Sequence, residues 1–250
     1  MALIIKTDST FSDASIPVLY PDSAMTESTK FVFDALDPAS WSSQAAPTIS
    51  SSWVDLAGGP AASFPVAPGW DNGFTFAGGS TGAKIDLPAS GKVAADQKSG
   101  FLAVVWIKPN SVSGLQSIAG STNGTPAGAQ WMMYQDSTQF IMASNGAAGP
   151  VISSVIAGNI YQIAIGYEGD GAGNFVRSTW KNGVLVAQQA QHAAASIFQP
   201  TAALPSLGRV PGVPSFDGKI YRCVFDILVT EKSIADIVAK DYADNLGRFA

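Results

Sequence analysis

The sequence predicts an all-β fold: a two-sheet antiparallel β-sandwich with a short C-terminal helix and an extended N-terminal arm. Three observations predict it. Short apolar segments with a period of two recur from Phe31 to Val229, separated by turns rich in Gly, Asn, Pro and Ser. A helical apolar pattern stands out only in residues 233–247. Residues 1–29 follow no period. Short strands between such turns are typical of a sandwich or a jelly roll.

The most distinct strand patterns lie in the middle of the chain. Residues 100–109, GFLAVVWIKP, are apolar on both alternating faces, which predicts a central buried strand. Residues 161–167 alternate strictly, with Tyr and Ile on one face. Residues 174–188 predict a hairpin, because the Asn-Gly pair at 182–183 supplies the two positive φ angles of a type I′ turn.

The last strand alternates in the same way. Its expected core-facing residues are Tyr221, Cys223, Phe225, Ile227 and Val229. Arg222 and Asp226 are expected on the other side. Cys223 is therefore expected to be a small core residue rather than a nucleophile.

The terminal helix has a start signal and a stop signal. Ser233 is expected to cap it, with Asp236 three residues later, and Gly247 suits its end. Its expected apolar stripe consists of Ile234, Ile237, Val238, Tyr242 and Leu246. We expect this helix to cover an open sheet edge or the end of the core.

The chain divides into residues 1–29, a docking arm, and residues 30–250, the sandwich domain. The arm is rich in Ser, Thr and Asp and carries apolar islands at Leu3–Ile5 and Ile16–Tyr20 that could bind a neighbouring subunit. A frayed terminus is the alternative. The apolar run before Lys6 is too short for a signal-peptide core, so no such signal is expected.

The composition excludes some partners. The chain has 14 Lys and Arg against 19 Asp and Glu, with no basic cluster, so we expect no nucleic-acid binding. No apolar stretch approaches the roughly 18 residues of a membrane span, so no membrane insertion is expected.

The residue inventory disfavours catalysis. One histidine, His192, and one cysteine leave a zinc site without ligands. No G-x-S-x-G nucleophile elbow and no P-loop or dinucleotide motif occurs. His192 is expected to be solvated. The protein is therefore predicted to be non-enzymatic.

Glu168 and its neighbours carry the two remaining possibilities for chemistry. A retaining glycosidase needs two carboxyl groups about 5–5.5 Å apart, and Glu168 with Asp170 comes nearest to that pattern. Glu168, Asp170 and Asn174 also offer oxygen ligands to calcium around flexible glycines. The alternative is that this segment is a turn made by its Asp and Gly residues. No other cofactor is expected.

Sugar recognition uses an aromatic ring beside amide or carboxylate groups. Trp70, Asp71 and Asn72 lie together in a Pro/Gly loop and are the first candidates for ligand contact. Trp131 is a second candidate, although in a strand it faces away from Tyr134. The alternative for Trp70 is a ring folded back over the end of the sandwich.

The order of several segments resembles a known family. An opening with an aromatic-Asp strand and SWVDLAGG is followed by GFTFAGG, FLAVVWIKP and WKNGVLV. The chain then ends in LGR and SFDGKIYRCVFDILVTEKSIADI. Over residues 30–247 this order resembles the concanavalin-A-like, laminin-G-like jelly roll.

The resemblance implies a fold and several functions. Members include glycan-binding lectin modules, polysaccharide hydrolases, adhesion modules and surface domains of bacteriophage virion proteins; function has to come from the site. A single such domain after a short arm looks most like the virion members. We therefore expect a tail-associated virion protein that attaches to a host surface or glycan. It would dock to other virion proteins through the arm and form a homo-oligomer in the particle. A capsid decoration protein without a ligand and a polysaccharide hydrolase are the alternatives.

Overall fold

The computed structural model describes residues 22, 24–94, 100–122, 129–144, 147–169, 172, 174–193, 203–228 and 233–249. The strands are, in chain order, β1 (Thr29–Asp34), β2 (Ser52–Trp53), β3 (Ala62–Val66), β4 (Gly69–Trp70), β5 (Phe74–Gly79), β6 (Lys84–Asp86), β7 (Gly100–Pro109), β8 (Leu115–Thr122), β9 (Ala129–Asp136), β10 (Gln139–Ser144), β11 (Ala147–Ile152), β12 (Tyr161–Gly169), β13 (Asn174–Lys181), β14 (Val184–Ala193), β15 (Ser206–Leu207) and β16 (Ser215–Ile227). Helix α1 follows at Ile234–Asn245.

These strands form two layers. In the first sheet the order is β14–β13–β12–β7–β16, and β16 then pairs with β5 along its first half and with β1 along its second half. The second sheet has the order β11–β10–β9–β8–β15–β6–β3–β2. The two sheets join where Ser215 pairs in parallel with Ser117; the other pairings are antiparallel. The predicted all-β sandwich is confirmed.

An aromatic core fills the space between the sheets. Phe101 of β7 stacks on Tyr167 of β12, with ring centroids 4.7 Å apart. Trp131 of β9 crosses from the second sheet to stack on Phe225 of β16 at 5.4 Å. The predicted central strand at residues 100–109 is confirmed as β7, in which Lys108 alone is not buried.

The predicted hairpin at residues 174–188 is also confirmed. Strands β13 and β14 pair around Asn182 and Gly183, whose φ angles are +53° and +79°. Both angles are positive, as the type I′ turn requires.

Helix α1 lies elsewhere than expected. It packs on the outer face of the first sheet, where Ile234, Ile237 and Val238 contact the outward apolar residues of the sheet, such as Leu102 and Val224. It therefore forms a third layer instead of covering a sheet edge or the end of the core. The physical reason is that the central strands are apolar on both faces, and the outer face also has to be removed from water.

The ends of α1 follow the predicted signals, with one exception. The Ser233 hydroxyl accepts a hydrogen bond from the backbone N–H of Asp236 at 3.4 Å, and Gly247 has φ +85°. Leu246 is 63% exposed, so its assignment to the apolar stripe is wrong. The chain has already left the helix there, and Asp241 and Asn245 are buried instead.

A bulge in β16 changes the direction of one predicted core residue. The pairing of β16 with β7 skips Tyr221, because Ile220 pairs with Ile107 and Arg222 with Trp106. Tyr221 therefore lies on the outer side, stacked on Phe249 at 5.1 Å. Cys223 and Phe225 face the core as predicted, and burial raises the pKa of the Cys223 thiol well above its usual range. Val229 lies outside the described residues.

A charged layer, defined by Arg222, Arg248, Asp22, Asp34 and Asp241, lies between the first sheet and α1. Arg222 is fully buried. Its Nε donates to Asp241 Oδ1 at 2.8 Å, its Nη2 to Asp22 Oδ1 at 2.7 Å and its Nη1 to Asp34 Oδ2 at 3.2 Å. Arg248 donates to the same oxygen of Asp34 at 2.9 Å. Each charge of this layer thus has an opposite charge within bonding distance.

The segment before β1 also contacts the body. Asp22 pairs with Arg222, and Met25 is buried in the cluster under α1. Thr26 and Ser28 donate hydroxyl hydrogen bonds to the buried carboxylate of Asp226. The described part of residues 22–29 therefore belongs structurally to the sandwich, although the sequence boundary placed it in the arm. Residues 1–21 lie outside the described residues, and a docking arm there stays a prediction.

Within the part of the chain that is described, no helix has the length and apolar character needed to cross a bilayer.

Candidate functional site

The first predicted site lies at one end of the sandwich, on the hairpin of β4 and β5. Trp70 pairs with Phe74 across a three-residue turn, and its ring is half-buried. The Trp70 ring meets the Phe74 ring edge-on at 5.4 Å and lies 6.4 Å from the Trp41 ring. These two buried rings fix the orientation of Trp70 and leave part of its surface exposed.

The turn after Trp70 presents polar groups to solvent. The carboxylate of Asp71 is 67% exposed on its side chain and pairs with Lys219 Nζ at 2.5 Å. Lys219 also donates to the backbone carbonyl of Asp71 at 2.8 Å, so the turn is held against β16. The hydrogen bond and the charge of Lys219, helped by Lys108, lower the pKa of Asp71, which is therefore ionised near neutral pH.

The backbone of the turn requires its own residue types. Asn72 is exposed and has φ +45°, a left-handed conformation that Asn tolerates better than most residues. Gly73 has φ +134°, and a Cβ there would lie 2.8 Å from the ring of Tyr221. The sequence Asp-Asn-Gly therefore gives a rigid tip with an exposed amide and an exposed carboxylate beside an aromatic ring.

Trp131 does not join this site. Its ring has no accessible surface, it lies between Phe101 and Phe225, and its Nε1 donates to the carbonyl of Gly91 at 3.1 Å. A fully buried ring cannot stack on a sugar, so the prediction of ligand contact at Trp131 is wrong. The prediction that Trp131 and Tyr134 face opposite sides is confirmed, because they belong to different apolar clusters.

The proposed calcium ligands are described only in part. Glu168 and Asn174 are half-buried at neighbouring ends of β12 and β13, and Asp170 lies outside the described residues. Among the residues that are described, no three His, Cys, Asp or Glu side chains are grouped as a metal site would require. Calcium binding at this loop stays a prediction.

Glu168 also bears on the hydrolase alternative. The residues directly opposite it on the two neighbouring strands are Gly100 and Val176, which carry no carboxyl group. His192 lies in β14 opposite Phe175, and its side chain falls outside the described residues.

A cleft that the sequence did not predict lies at the opposite end of β5. It has a volume of about 510 Å³ and is lined by Ser80, Lys84, Arg209, Val210, Pro211, Gly212, Val213 and Pro214. The segment GRVPGVP contained a signal, since two glycines and two prolines around a basic residue predict a rigid, exposed loop. Sequence alone does not place Ser80 and Lys84 beside that loop.

No protein-family model matches the sequence, and no curated protein matches it at a significant level. Trypanosoma rangeli sialidase in complex with 2,3-difluorosialic acid is similar in structure, with a TM-score of 0.60 and 12% identity over 90% of this chain and 34% of the sialidase. The same sialidase in complex with sialic acid gives a TM-score of 0.59 and 14% identity over 93% of this chain and 36% of that one.

A binding domain of another kind is similar as well. The binding domain of botulinum neurotoxin DC, in complex with rat synaptotagmin II, has a TM-score of 0.58 and 13% identity over 87% of this chain and 52% of that one. The chain thus spans about a third of the sialidase and about half of the neurotoxin chain. At these identities the likeness shows a shared β-sandwich fold and no more.

Proposed function

We propose that this protein is a non-enzymatic attachment protein whose sandwich binds a glycan or another host-surface group through the hairpin at Trp70. The observation that carries the proposal is a partly exposed tryptophan ring fixed by Phe74 and Trp41, with Asp71 and Asn72 exposed beside it. An aromatic face with a few fixed polar groups is the arrangement that sugar recognition uses.

The rigidity of this hairpin supports a binding role. Lys219 holds the turn by both the carboxylate and the backbone carbonyl of Asp71, and Gly73 packs against Tyr221. Groups that are already ordered lose little conformational entropy when a ligand binds. A shallow, preorganised surface suits attachment, in which many weak contacts act together in an assembled particle.

The setting that we propose is a bacteriophage virion, with the protein tail-associated and present as a homo-oligomer. The support is the layout of the sequence, with one sandwich domain preceded by a Ser/Thr/Asp-rich segment with apolar islands. In this proposal residues 1–21 dock to other virion proteins. The test is to delete these residues and measure incorporation into particles, which should be lost while the isolated chain still folds.

The binding test uses the soluble full chain on a glycan array and on host cells. Trp70→Ala should weaken binding by about 2 kcal/mol or more, because truncating an aromatic hot-spot residue has an effect of this size. The control is Ile156→Ala, which removes a 60% exposed apolar side chain from another loop and should change nothing.

Two results would contradict the attachment proposal. Absence of binding to all glycans and cells would favour a purely structural or decorating role. Release of reducing sugar by the wild-type chain, lost in Glu168→Gln, would favour the hydrolase.

A further inference from the structure

The cleft at the far end of β5 lies away from the Trp70 hairpin. Trp70 pairs with Phe74 at the start of β5, and Ser80 follows Gly79 at its end. A strand of this length spans roughly 20 Å. The cleft is therefore a separate surface, and the inference drawn from it goes beyond the proposed function.

The loop that forms one wall of the cleft is rigidly built. Gly208 has φ +76°, and a Cβ there would lie 2.0 Å from the ring of Phe76. Glycine is therefore required where the chain leaves β15. Ser117 Oγ then accepts from the backbone N–H of Val210 at 3.1 Å and donates to the carbonyl of Gly208 at 3.3 Å.

Both ends of the loop are also held by neighbouring residues. The backbone N–H of Ser117 donates to the carbonyl of Pro214 at 2.8 Å, and Ser206 Oγ donates to the carbonyl of Arg209 at 2.8 Å. Val210 and Val213 are buried against the outer face of β9. The wall exists before any ligand arrives, which is the condition for a specific site.

The charges in the cleft are unlike those of the chain as a whole. The net charge of the chain is −5, but the cleft is lined by Lys84 and Arg209. Lys84 pairs with Asp86 on the same strand at 2.6 Å, which offsets one of the two positive charges. Among the described residues, Arg209 has no carboxylate within ion-pair distance, and its Nη1 donates only weakly to the carbonyl of Ser80, at 3.4 Å.

We propose that this cleft binds the anionic group of an acidic saccharide, a carboxylate or a sulfate, on the Arg209 guanidinium. The planar fork of a guanidinium matches both groups with two parallel hydrogen bonds. The volume of about 510 Å³ is in the range of small-molecule sites, about 300–1,000 Å³. The exposed Pro211 and Pro214 offer contact to the C–H faces of a sugar, and none of the eight lining residues is aromatic, so a nucleotide base would find no stacking partner.

The test measures binding of the full chain to four probes of similar size. They are a tetrasaccharide containing glucuronate, a sulfated tetrasaccharide, neutral cellotetraose and a short oligoglutamate peptide. We expect one or both acidic saccharides to bind at least about tenfold more tightly than cellotetraose, with an advantage that declines as salt rises. The carboxylate and sulfate arms show which group the cleft takes.

Variants assign the preference to the cleft. Arg209→Gln should reduce acidic-saccharide binding to the level of cellotetraose, and Lys84→Gln should weaken it less, because Asp86 already offsets Lys84. Lys240→Gln is the matched control, since it removes an exposed cation that is paired with Asp244 on α1. Trp70→Ala should leave the acidic preference intact, which separates this site from the attachment site.

Three outcomes would overturn the proposal. They are equal binding of acidic and neutral saccharides, binding of oligoglutamate as tight as that of the acidic saccharides, and acidic preference that survives both Arg209→Gln and Lys84→Gln. The melting temperature of each variant shows whether it remains folded.

Discussion

The central strands of the first sheet, β7 and β16, are buried on both faces, but by different chemistry. The inner face meets aromatic residues of the second sheet, such as Trp131 against Phe225. The outer face meets α1 and the segment at residues 22–29, and it includes the buried cation Arg222 with three aspartates around it. Apolar packing needs only the right volume and pattern, whereas a buried charge needs particular partners at bonding distance.

The two faces contribute differently to the fold. The inner face is the larger and supplies the non-directional stability of a sandwich core. The outer face joins distant parts of the chain, because Arg222 bonds to Asp22, Asp34 and Asp241 at once. We infer that the charged layer fixes where the N-terminal segment and the helix dock.

Truncation of the N-terminal segment should cause the largest loss of stability. Deleting residues 1–29 removes Asp22, Met25 and the hydroxyl groups that donate to Asp226. Arg222 then lacks one of its carboxylate partners, and Asp226 lacks hydrogen-bond donors that it has in the full chain. We expect a loss of roughly 5 kcal/mol in the free energy of unfolding, or a melting temperature lower by roughly 10–20 °C.

The matched control is deletion of residues 1–21, which should leave the melting temperature within about 2 °C of the full chain. Equal stability of the two truncated chains would show that residues 22–29 do not hold the outer layer. The shorter deletion is also the right one for the particle-incorporation test, because it separates docking from folding.

The second largest loss of stability should come from removing the charge of Arg222 at the centre of the outer layer. Arg222→Met leaves Asp34 and Asp241 buried without this partner and should cost about 3–5 kcal/mol, measured by urea denaturation near neutral pH. On the inner face, Phe225→Ala should cost a similar amount, about 3–5 kcal/mol, through the cavity that it creates.

The two variants should differ in how their stability cost depends on pH. The cost of Arg222→Met should shrink as pH falls through the lowered pKa of Asp22, since a protonated Asp22 no longer needs the cation, whereas the cost of Phe225→Ala should stay constant. A cost of Arg222→Met that does not change with pH would mean that its packing, and not its charge, matters.

The smallest effect concerns Asp22 alone. Burial by itself raises the pKa of Asp22, but the hydrogen bonds and the charge of Arg222 outweigh it and hold the pKa below its ordinary value of 3.8. A carboxyl group whose pKa is lower in the folded than in the unfolded state stabilises the fold above its ordinary pKa. This stabilisation is lost as pH falls through the folded-state value.

Asp22→Asn should therefore cost about 2 kcal/mol near neutral pH, and its difference from the wild type should diminish below about pH 3.8. The control is Asp244→Asn, which removes an exposed pair with Lys240 and should change stability by less than about 0.5 kcal/mol at any pH. An Asp22→Asn cost that is the same at pH 3 and pH 7 would contradict the assigned ion pair.

Local patterns predicted the parts of the fold that depend on neighbours in sequence. Strand β7, the turn at Asn182 and Gly183, and the cap at Ser233 all follow from a few adjacent residues. The errors arose where one residue changes the pattern. The bulge at Tyr221 puts its side chain on the outer side of the sheet. Trp131 was expected in a strand, but its alternation with Tyr134 did not show that its own face is the buried one.

The candidate sites show the same division. Trp70, Asp71 and Asn72 are consecutive, and the structure keeps the turn exposed as their sequence suggested. The cleft joins Lys84 to Arg209, which are brought together by the pairing of β6 with β15. No alternation pattern within either segment predicts that β6 pairs with β15.

Local sequence patterns are enough to predict a β-sandwich with one terminal helix, because side-chain alternation and turn residues act over a few positions. Long-range contacts place the helix on the outer face, bring carboxylates from both ends of the chain to Arg222, and form the cleft with Lys84 and Arg209 beside β5. These features depend on strand pairing between residues far apart in sequence, where hydrogen bonding and burial of the whole sheet select one register among many.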